Sequence, residues 1–313
     1  MNELLNADLE QYLAYLREQN RSKATVNGYA SDMRAFIVWL ELERNKSHLE
    51  NLESSDLQAF ILAMQAGGER KTNSVNRRVA ALSSFFRWAF HSGRLAKNLA
   101  DGLHALPTEK VGVRFLTKAQ QEALLKEIER SVRLARLRFP KRWLARQRDA
   151  SMVKLLLHTG LRLAEELELL LNDFQMFDRK GAMIVRNAHP SRERVVPLNA
   201  EARKAVLEWL AVRPESDTDY VWIAVENENP TTALCGRSVQ RVVRRFGQEA
   251  GIDNLTPQML RHTFAKNLAD SGVSLEKIAA LLGYVSLNAA RIYTEPSQQD
   301  LQKAVEKLDN GGK

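Results

Sequence analysis

The chain has 313 residues, a net charge of +8 and 44% hydrophobic residues. This length and apolar content predict a folded protein of two domains and exclude a disordered chain. A single cysteine excludes an internal disulfide, and no apolar run reaches the roughly 18 residues of a membrane span, so we expect a cytoplasmic protein whose basic charge favours nucleic acid.

Residues 1–104 predict an all-helical domain. Apolar side chains recur there at i, i+3, i+4 and i+7 in four segments, the third capped by Ser54 or Ser55 and the fourth ending near Gly93. The apolar positions are Leu9, Tyr12, Leu13 and Leu16; Val26, Tyr29, Met33, Phe36, Ile37 and Leu40; Leu57, Phe60, Ile61 and Met64; and Val75, Val79, Leu82, Phe86 and Ala89.

A linker and a new helix follow. Residues 105–114 combine Pro107, Gly112 and mixed charges, which is typical of a linker. Thr117 and Gln120 then form a capping-box pattern that opens a helix.

Residues 130–148 are strongly basic and contain no acidic residue. Apolar side chains alternate with the cations, so this segment could lie along a DNA backbone, or it could be a solvated helix face. The cations are Arg130, Arg133, Arg136, Arg138, Lys141, Arg142, Arg146 and Arg148.

The rest of the second domain mixes helices and strands. Residues 148–171 predict a buried helix pair that breaks at Thr159 and Gly160, and residues 182–187 and 193–198 predict a β-hairpin. Residues 219–225 predict a third strand. An amphipathic helix over 236–250 carries four arginines on one side, which makes it a candidate for DNA contact: Arg237, Arg241, Arg244 and Arg245. Thr256 should cap the next helix, with Pro257 at its first position.

Three sequence blocks stand out in this second domain. They are TGLRLAEELEL around Arg162, LRHTFAKNLADSG around Arg261, and LGYVSLNAARIYTEPS around Tyr293. Taken in order, they resemble the tyrosine recombinase (phage-type integrase) family over nearly the whole chain. The resemblance implies a mainly α fold with a small β-sheet, built as a two-domain DNA clamp. A helical core-binding domain would span 1–104 and a catalytic domain 115–296.

The resemblance also implies a reaction. Tyr293 would attack a phosphodiester of double-stranded DNA, while Arg162 and Arg261 bind its oxygens, with Glu165 as a supporting acid. Arginine suits this role because its planar fork of donors stabilises the extra charge of the transition state. Such a recombinase needs no metal and no other cofactor, and it assembles as a tetramer on specific DNA sites. A tail helix over 297–313 would dock on a neighbouring protomer or on its own domain.

Three positions depart from the family pattern. Gln258 stands where the family has a histidine, and Tyr284 where it has histidine or tryptophan. Counting back from VPL places His189 at the position of the family's lysine, near Arg186 and Arg192. Glutamine cannot act as a base, whereas histidine could serve as a general acid. We interpret His262 as a hydrogen-bonding core residue.

Other interpretations remain open from the sequence. Arg162 could pair structurally with Glu165 or Glu166. The three altered positions would also suit a recombinase-like DNA-binding protein that cuts slowly, and a type IB topoisomerase shares the arginine and tyrosine chemistry. Candidate DNA contacts, each of which could instead be solvated, are Arg77, Arg133, Arg138, Arg142, Arg237, Arg241 and Arg244.

Overall fold

A computed structural model describes residues 3–66, 72–108, 112–186, 193–225 and 234–294. The chain divides into two compact units, Met1–Val111 and Gly112–Lys313. Within the described ranges, no helix is both long and apolar enough to span a bilayer.

The first unit is a helical bundle. The predicted apolar positions form its core, and Tyr29 is the one of them that stays partly exposed. An aromatic group that includes Phe36, Phe60 and Phe86 packs at its centre, with ring centroids of Phe36 and Phe60 5.1 Å apart. Its helices are α1 (Glu3–Glu18), α2 (Lys23–Arg44), α3 (Ser54–Ala66) and α4 (Thr72–His91).

The cap predicted for α3 was wrong. Ser54 and Ser55 are the first two residues of the helix, so Glu53 occupies the position before it. Instead the buried Asp56 carboxylate reaches back to accept the backbone N–H of Glu53 at 2.9 Å and a bond from the Lys46 ammonium at 2.7 Å. A carboxylate in the first turn can satisfy an orphan N–H as well as a serine can, and it also interacts favourably with the helix dipole.

The second unit packs helices around a small antiparallel sheet, in strand order β1-β2-β3. Thr117 and Gln120 form the predicted capping box, and Thr256 caps a helix with Pro257 in its first turn. The elements are α5 (Lys118–Arg138), α6 (Trp143–Thr159), α7 (Leu163–Leu167), β1 (Phe174–Met176), β2 (Gly181–Val185), β3 (Arg194–Pro197), α8 (Ala200–Leu210), α9 (Gly236–Glu249), α10 (Pro257–Asp270), α11 (Leu275–Leu282) and α12 (Asn288–Arg291).

The sheet confirms the predicted hairpin and corrects the third strand. Strands β2 and β3 pair in the register Ala182 to Pro197. Residues 219–225 do not form a strand of this sheet; Tyr220 makes an isolated bridge, and β1 pairs with β2 instead. The backbone groups of this segment bond outside the sheet. The Val221 N–H donates to the carbonyl of Leu169, and the Val221 carbonyl accepts from the indole N–H of Trp209, both within the buried core.

Glu166 on α7 is an acid inside the core. Its side chain is fully buried, and neither carboxylate oxygen has a hydrogen-bond partner among the described residues. Burial raises the pKa of Glu166 well above its ordinary value, because a lone carboxylate is poorly solvated there. Burial therefore favours the protonated, neutral form of this side chain in the folded protein.

We expect Glu166→Gln to make folding stability less dependent on pH. Above the pKa of an unfolded glutamate, about 4.3, the folded parent holds a proton that the unfolded chain has lost, so its stability falls as pH rises. The advantage of the glutamine variant should grow by up to about 1.4 kcal/mol per pH unit until the folded pKa is reached. Urea unfolding between pH 4 and 9 measures this. Glu168→Gln, an exposed neighbour, is the control, and equal curves for both variants would refute the neutral core acid.

Candidate active site

Three arginines surround the buried carboxylate of Glu165. Arg194 binds it through both terminal nitrogens, at 2.9 Å to Oε1 and 2.8 Å to Oε2. Arg162 binds Oε1 at 2.6 Å, and Arg261 lies 3.9 Å from Oε2. The ion pair between Arg162 and Glu165 that the sequence left open is therefore present, as one part of a larger cluster.

The ends of two helices hold the other sides of these guanidinium groups. Arg261 donates to the carbonyls of Gly160 and Leu282, both at 2.7 Å. Arg162 donates to the carbonyl of Gly283 at 3.1 Å, and Arg194 Nε donates to that of Leu281 at 2.9 Å. These carbonyls lie at the C-terminal ends of α6 and α11, where the helix dipole favours cations.

Glycine is required at both helix ends. Gly160 and Gly283 each have φ = +64° and cap α6 and α11 in the left-handed conformation. A Cβ on Gly160 would also lie 2.5 Å from the Phe264 ring, and one on Gly283 would lie 2.8 Å from the Arg194 guanidinium. The glycines of the TG and LG pairs thus let the helices end against the arginine cluster.

Burial and pairing set the charges of the cluster. Burial alone would raise the pKa of Glu165, but hydrogen bonds from Arg194 and from the Arg162 backbone outweigh it and hold that pKa below its ordinary value. Burial, together with the charge of Arg162, lowers the pKa of Arg261, although an arginine remains protonated. One carboxylate facing three guanidiniums leaves a surplus of positive charge, which suits an anionic ligand.

Tyr293 lies buried beside this cluster. Only 2% of the residue is exposed, and it packs with Ala265, Ile278 and Leu282. Its hydroxyl is 2.6 Å from Nδ1 of His262 and 2.9 Å from the hydroxyl of Tyr284. Burial and the Tyr284 hydroxyl raise the pKa of Tyr293, while Arg261 opposes the shift. Tyr293 is therefore a neutral phenol in this structure.

Tyr284 connects the tyrosine to the arginines. Its ring centroid lies 5.0 Å from the guanidinium carbon of Arg261 and 5.8 Å from that of Arg162, both within cation–π range. Gln258 lies on the exposed side of α10, where its amide nitrogen is 3.1 Å from Nε2 of His262. The structure therefore brings together Arg162, Glu165, Gln258, Arg261, Tyr284 and Tyr293.

His189 and Arg192 lie outside the described residues. Arg186 forms ion pairs with the buried Asp173 and with Glu193, so it is a structural cation here and not a free phosphate ligand.

Two residues of the site were missed from the sequence. The sequence predicts only that Arg194 belongs to the hairpin, whereas in the structure its guanidinium makes two hydrogen bonds to the Glu165 carboxylate. His262, interpreted as a core residue, is half-buried and contacts the hydroxyl of Tyr293. The signal for His262 was its spacing: it follows Gln258 by four residues and so shares its side of α10.

The candidate DNA-contact arginines differ in availability. Exposed side chains are those of Arg133, Arg138 and Arg142 around the α5–α6 connection, and of Arg237, Arg241 and Arg244 on α9. In the first unit Arg77 is half-exposed but pairs with the buried Asp32 at 2.9 Å.

Two arginines from the predicted basic surfaces are structural. Arg148 is buried against Asp149 and the carbonyl of Ile223, so the basic segment ends before it. Arg245 pairs with Asp149 at 3.0 Å instead of lying free on α9. Both arginines are on the core-facing sides of their helices, where Asp149 supplies a buried partner.

Comparison with known proteins places this site in a family context. Residues 114–300 match the model of the phage integrase family, and residues 9–93 match its N-terminal SAM-like domain. The tyrosine recombinase XerC of Corynebacterium glutamicum is 32% identical over 291 residues, covering 92% of this chain and 86% of the relative. The tyrosine recombinase XerA of Thermococcus kodakarensis is 29% identical over 305 residues, covering 96% and 95%.

A solved structure shares the fold. The XerH site-specific recombinase bound to a palindromic difH substrate, in a post-cleavage complex, aligns with a TM-score of 0.71 at 21% identity, over 93% of this chain and 82% of that one. The matched models, the relatives and the arginine–tyrosine cluster agree: the chain belongs to the phage integrase family of tyrosine recombinases.

Proposed function

We propose that this chain is a site-specific DNA recombinase that cuts and rejoins double-stranded DNA through a 3′-phosphotyrosine intermediate on Tyr293. The observation that carries the proposal is the contact chain from Tyr293 through Tyr284 to the guanidiniums of Arg162 and Arg261. A nucleophile and two phosphate-binding cations within one cluster are the minimum that this reaction requires.

The arginines would act mainly on the transition state. Their carbonyl and carboxylate contacts fix both guanidiniums before DNA arrives, while further N–H groups remain for the phosphate oxygens. A preorganised donor gains most where new negative charge appears, which is the five-coordinate phosphorus. Glu165 and Arg194 would act as positioning residues for this arrangement.

The buried phenol of Tyr293 favours a second candidate, a recombinase-like protein that binds DNA but cuts it slowly. In that case Gln258 and Tyr284, where the family has other residues, would leave the site without efficient proton transfer. For the leading proposal we expect His189 to protonate the leaving 5′ oxygen.

Assembly and location form part of the proposal. We expect four protomers on paired DNA sites, with the tail over 297–313 exchanged between them, and action on DNA of the nucleoid in the cytoplasm. Size-exclusion chromatography coupled to light scattering, with and without the DNA site, measures the assembly.

Tyr293→Phe should bind DNA like the parent protein and form no covalent adduct. The phenyl ring keeps the packing and removes the nucleophilic oxygen. Sites are first selected by binding from a random duplex library, and the adduct is then trapped on nicked suicide versions of those sites. Tyr220→Phe is the control, because Tyr220 lies outside the cluster. An adduct with the Tyr293 variant would show that another residue attacks, and tight binding by a parent that forms no adduct would favour the second candidate.

Arg162→Lys and Arg261→Lys should each lower the rate of cleavage of bound DNA by about a hundredfold or more, the scale of losing one preorganised donor. Lysine keeps the charge but cannot bind carbonyl, carboxylate and phosphate together through one planar group. Single-turnover cleavage at saturating protein separates this loss from affinity. Arg203→Lys, which loses a comparable carbonyl bond to Leu198, is the matched control. If DNA binding weakened while the cleavage rate of bound DNA stayed the same, these arginines would be ordinary contacts to the DNA backbone.

DNA affinity should fall steeply with salt. If about six phosphates are neutralised, the logarithm of the association constant should change with the logarithm of salt at a slope of roughly −5. Replacing Arg237 and Arg241 by glutamine should make that slope shallower by about 2. Fluorescence anisotropy over a salt series measures it, with Arg34→Gln and Lys204→Gln, exposed elsewhere, as the control pair. If the salt slope of this variant equalled that of the parent, α9 would not be part of the DNA interface.

A further inference from the structure

Four side chains form a continuous hydrogen-bonded chain that runs from Gln258 through His262 and Tyr293 to Tyr284. Gln258 Nε2 lies 3.1 Å from His262 Nε2, and His262 Nδ1 lies 2.6 Å from the Tyr293 hydroxyl. The Tyr293 hydroxyl is in turn 2.9 Å from that of Tyr284. Gln258 and His262 are four residues apart on α10, so they lie on the same side of the helix, one turn apart.

The direction of the protons in this chain is adjustable. A neutral imidazole has one N–H donor and one acceptor nitrogen, and a glutamine amide can present either its carbonyl or its NH₂ group. In the structure the amide nitrogen of Gln258 faces His262 Nε2. Turning the amide by 180° puts the carbonyl in the same place, where it accepts the proton of His262 Nε2. Nδ1 is then the acceptor, and the Tyr293 hydroxyl donates to it. A histidine at position 258, as in the family, could itself accept a proton and would compete with His262. Glutamine cannot take up a proton, so it can only hold the His262 ring in one tautomer.

We propose that His262 is the general base that removes the phenolic proton of Tyr293, and that Gln258 is the positioning residue that holds His262 in the required tautomer. This inference rests on the proposed function and assigns a proton path to it. In this proposal the general base is His262, the residue that follows Arg261 in the sequence, and not the residue at position 258.

The step balances in protons and bonds. As the Tyr293 oxygen forms its bond to phosphorus, its proton moves to His262 Nδ1. The bond from phosphorus to the 5′ oxygen breaks, and that oxygen takes a proton from a separate acid, for which we propose His189. Rejoining reverses both transfers: the 5′ hydroxyl attacks, and His262 returns its proton to the departing Tyr293.

The surroundings of His262 favour the neutral imidazole that a general base needs before the reaction. Burial, and then the charge of Arg261, lowers the pKa of His262, so the ring is neutral and able to accept a proton near pH 7. The groups facing it are Gln258 and Arg261 on α10 and the Tyr293 hydroxyl beyond α12. A phosphate bound at Arg261 would offset that positive charge and so stabilise the imidazolium once it forms.

A purely structural role for His262 makes different predictions. A histidine that only holds Tyr293 in place could be replaced by asparagine, whose side-chain oxygen can accept at the position of Nδ1 but cannot take up a proton. Such a variant would lose little activity, and its pH dependence would not change. A base cannot be replaced in this way.

The test is single-turnover cleavage of a suicide substrate with a 5′-bridging sulfur, measured from pH 5 to 9. A thiolate leaves without an acid, so this substrate isolates the base from the acid. The parent rate should rise with pH to a plateau as His262 becomes neutral. His262→Asn should be slower by about a hundredfold or more at pH 7, within the range of general-base effects. Its rate should keep rising towards pH 9, because only hydroxide then makes the phenolate.

Two controls separate this loss from folding and from the acid. His158→Asn removes another partly buried imidazole of the same unit, one that faces Asn199, and should leave the pH profile unchanged. His189→Ala should be slow on the oxygen substrate and near the parent rate on sulfur, whereas His262→Asn should be slow on both. Melting temperature and DNA affinity establish that each variant is folded.

A lower-pKa nucleophile gives an independent measurement. Difluorotyrosine installed at position 293 ionises more readily and needs less help from a base. Difluorotyrosine should therefore raise the cleavage rate of His262→Asn by a factor at least ten times larger than the factor by which it changes the parent rate. Gln258→Leu, at an exposed position where folding is preserved, should slow cleavage and leave the acidic limb of the profile in place.

The outcomes are distinct. If His262→Asn cleaves the sulfur substrate at the parent rate with the parent profile, or if difluorotyrosine gives no selective rescue, His262 is not the base, although the recombinase proposal stands. If Tyr293→Phe forms the adduct, the proposed function fails at its nucleophile. Should His262→Asn prove unfolded, the cleavage rate of Gln258→Leu decides, and cleavage at the parent rate across the whole pH range overturns the inference.

Discussion

The site depends on one buried carboxylate. Glu165 neutralises part of the charge of three guanidiniums that would otherwise repel each other in a partly buried space. The carbonyls at the ends of α6 and α11 supply the remaining acceptors. Removing one member of such a network leaves the others buried and underpaired, which is more costly than losing a surface ion pair. The cluster therefore links the ends of α6 and α11, and its surplus positive charge suits an anionic ligand.

The same cluster also explains where Tyr293, the proposed nucleophile, lies. Gly160 and Gly283 end their helices at the arginines, and the chain after Gly283 returns to place Tyr284 on the guanidiniums and Tyr293 behind it. In this resting arrangement the phenol is neutral, because its hydroxyl is buried and bonded to neutral partners. In the proposed reaction a phosphate would bind to the arginines, and the phenolic proton would move to His262, whose Nδ1 lies 2.6 Å from the Tyr293 hydroxyl.

The many arginines of this chain do two different jobs. Some are held by buried acids or carbonyls, as Arg148 and Arg245 are by Asp149. Others, such as Arg133 and Arg241, extend into solvent where a polyanion could displace their counterions. Net charge cannot separate these groups, because a paired and a free arginine count equally in composition.

The sequence by itself determined the helical class of the first unit, the hairpin, several caps and the family. It could do so because apolar periodicity, capping pairs and the motif blocks around Arg162, Arg261 and Tyr293 are local signals. Only the tertiary structure decided that residues 219–225 are buried without joining the sheet, that Asp56 caps α3, that Arg194 completes the Glu165 cluster and that His262 faces Tyr293. Each of these depends on which side chains meet across the fold, and hydrogen bonds between residues 29 or 31 positions apart leave no periodic trace in the chain.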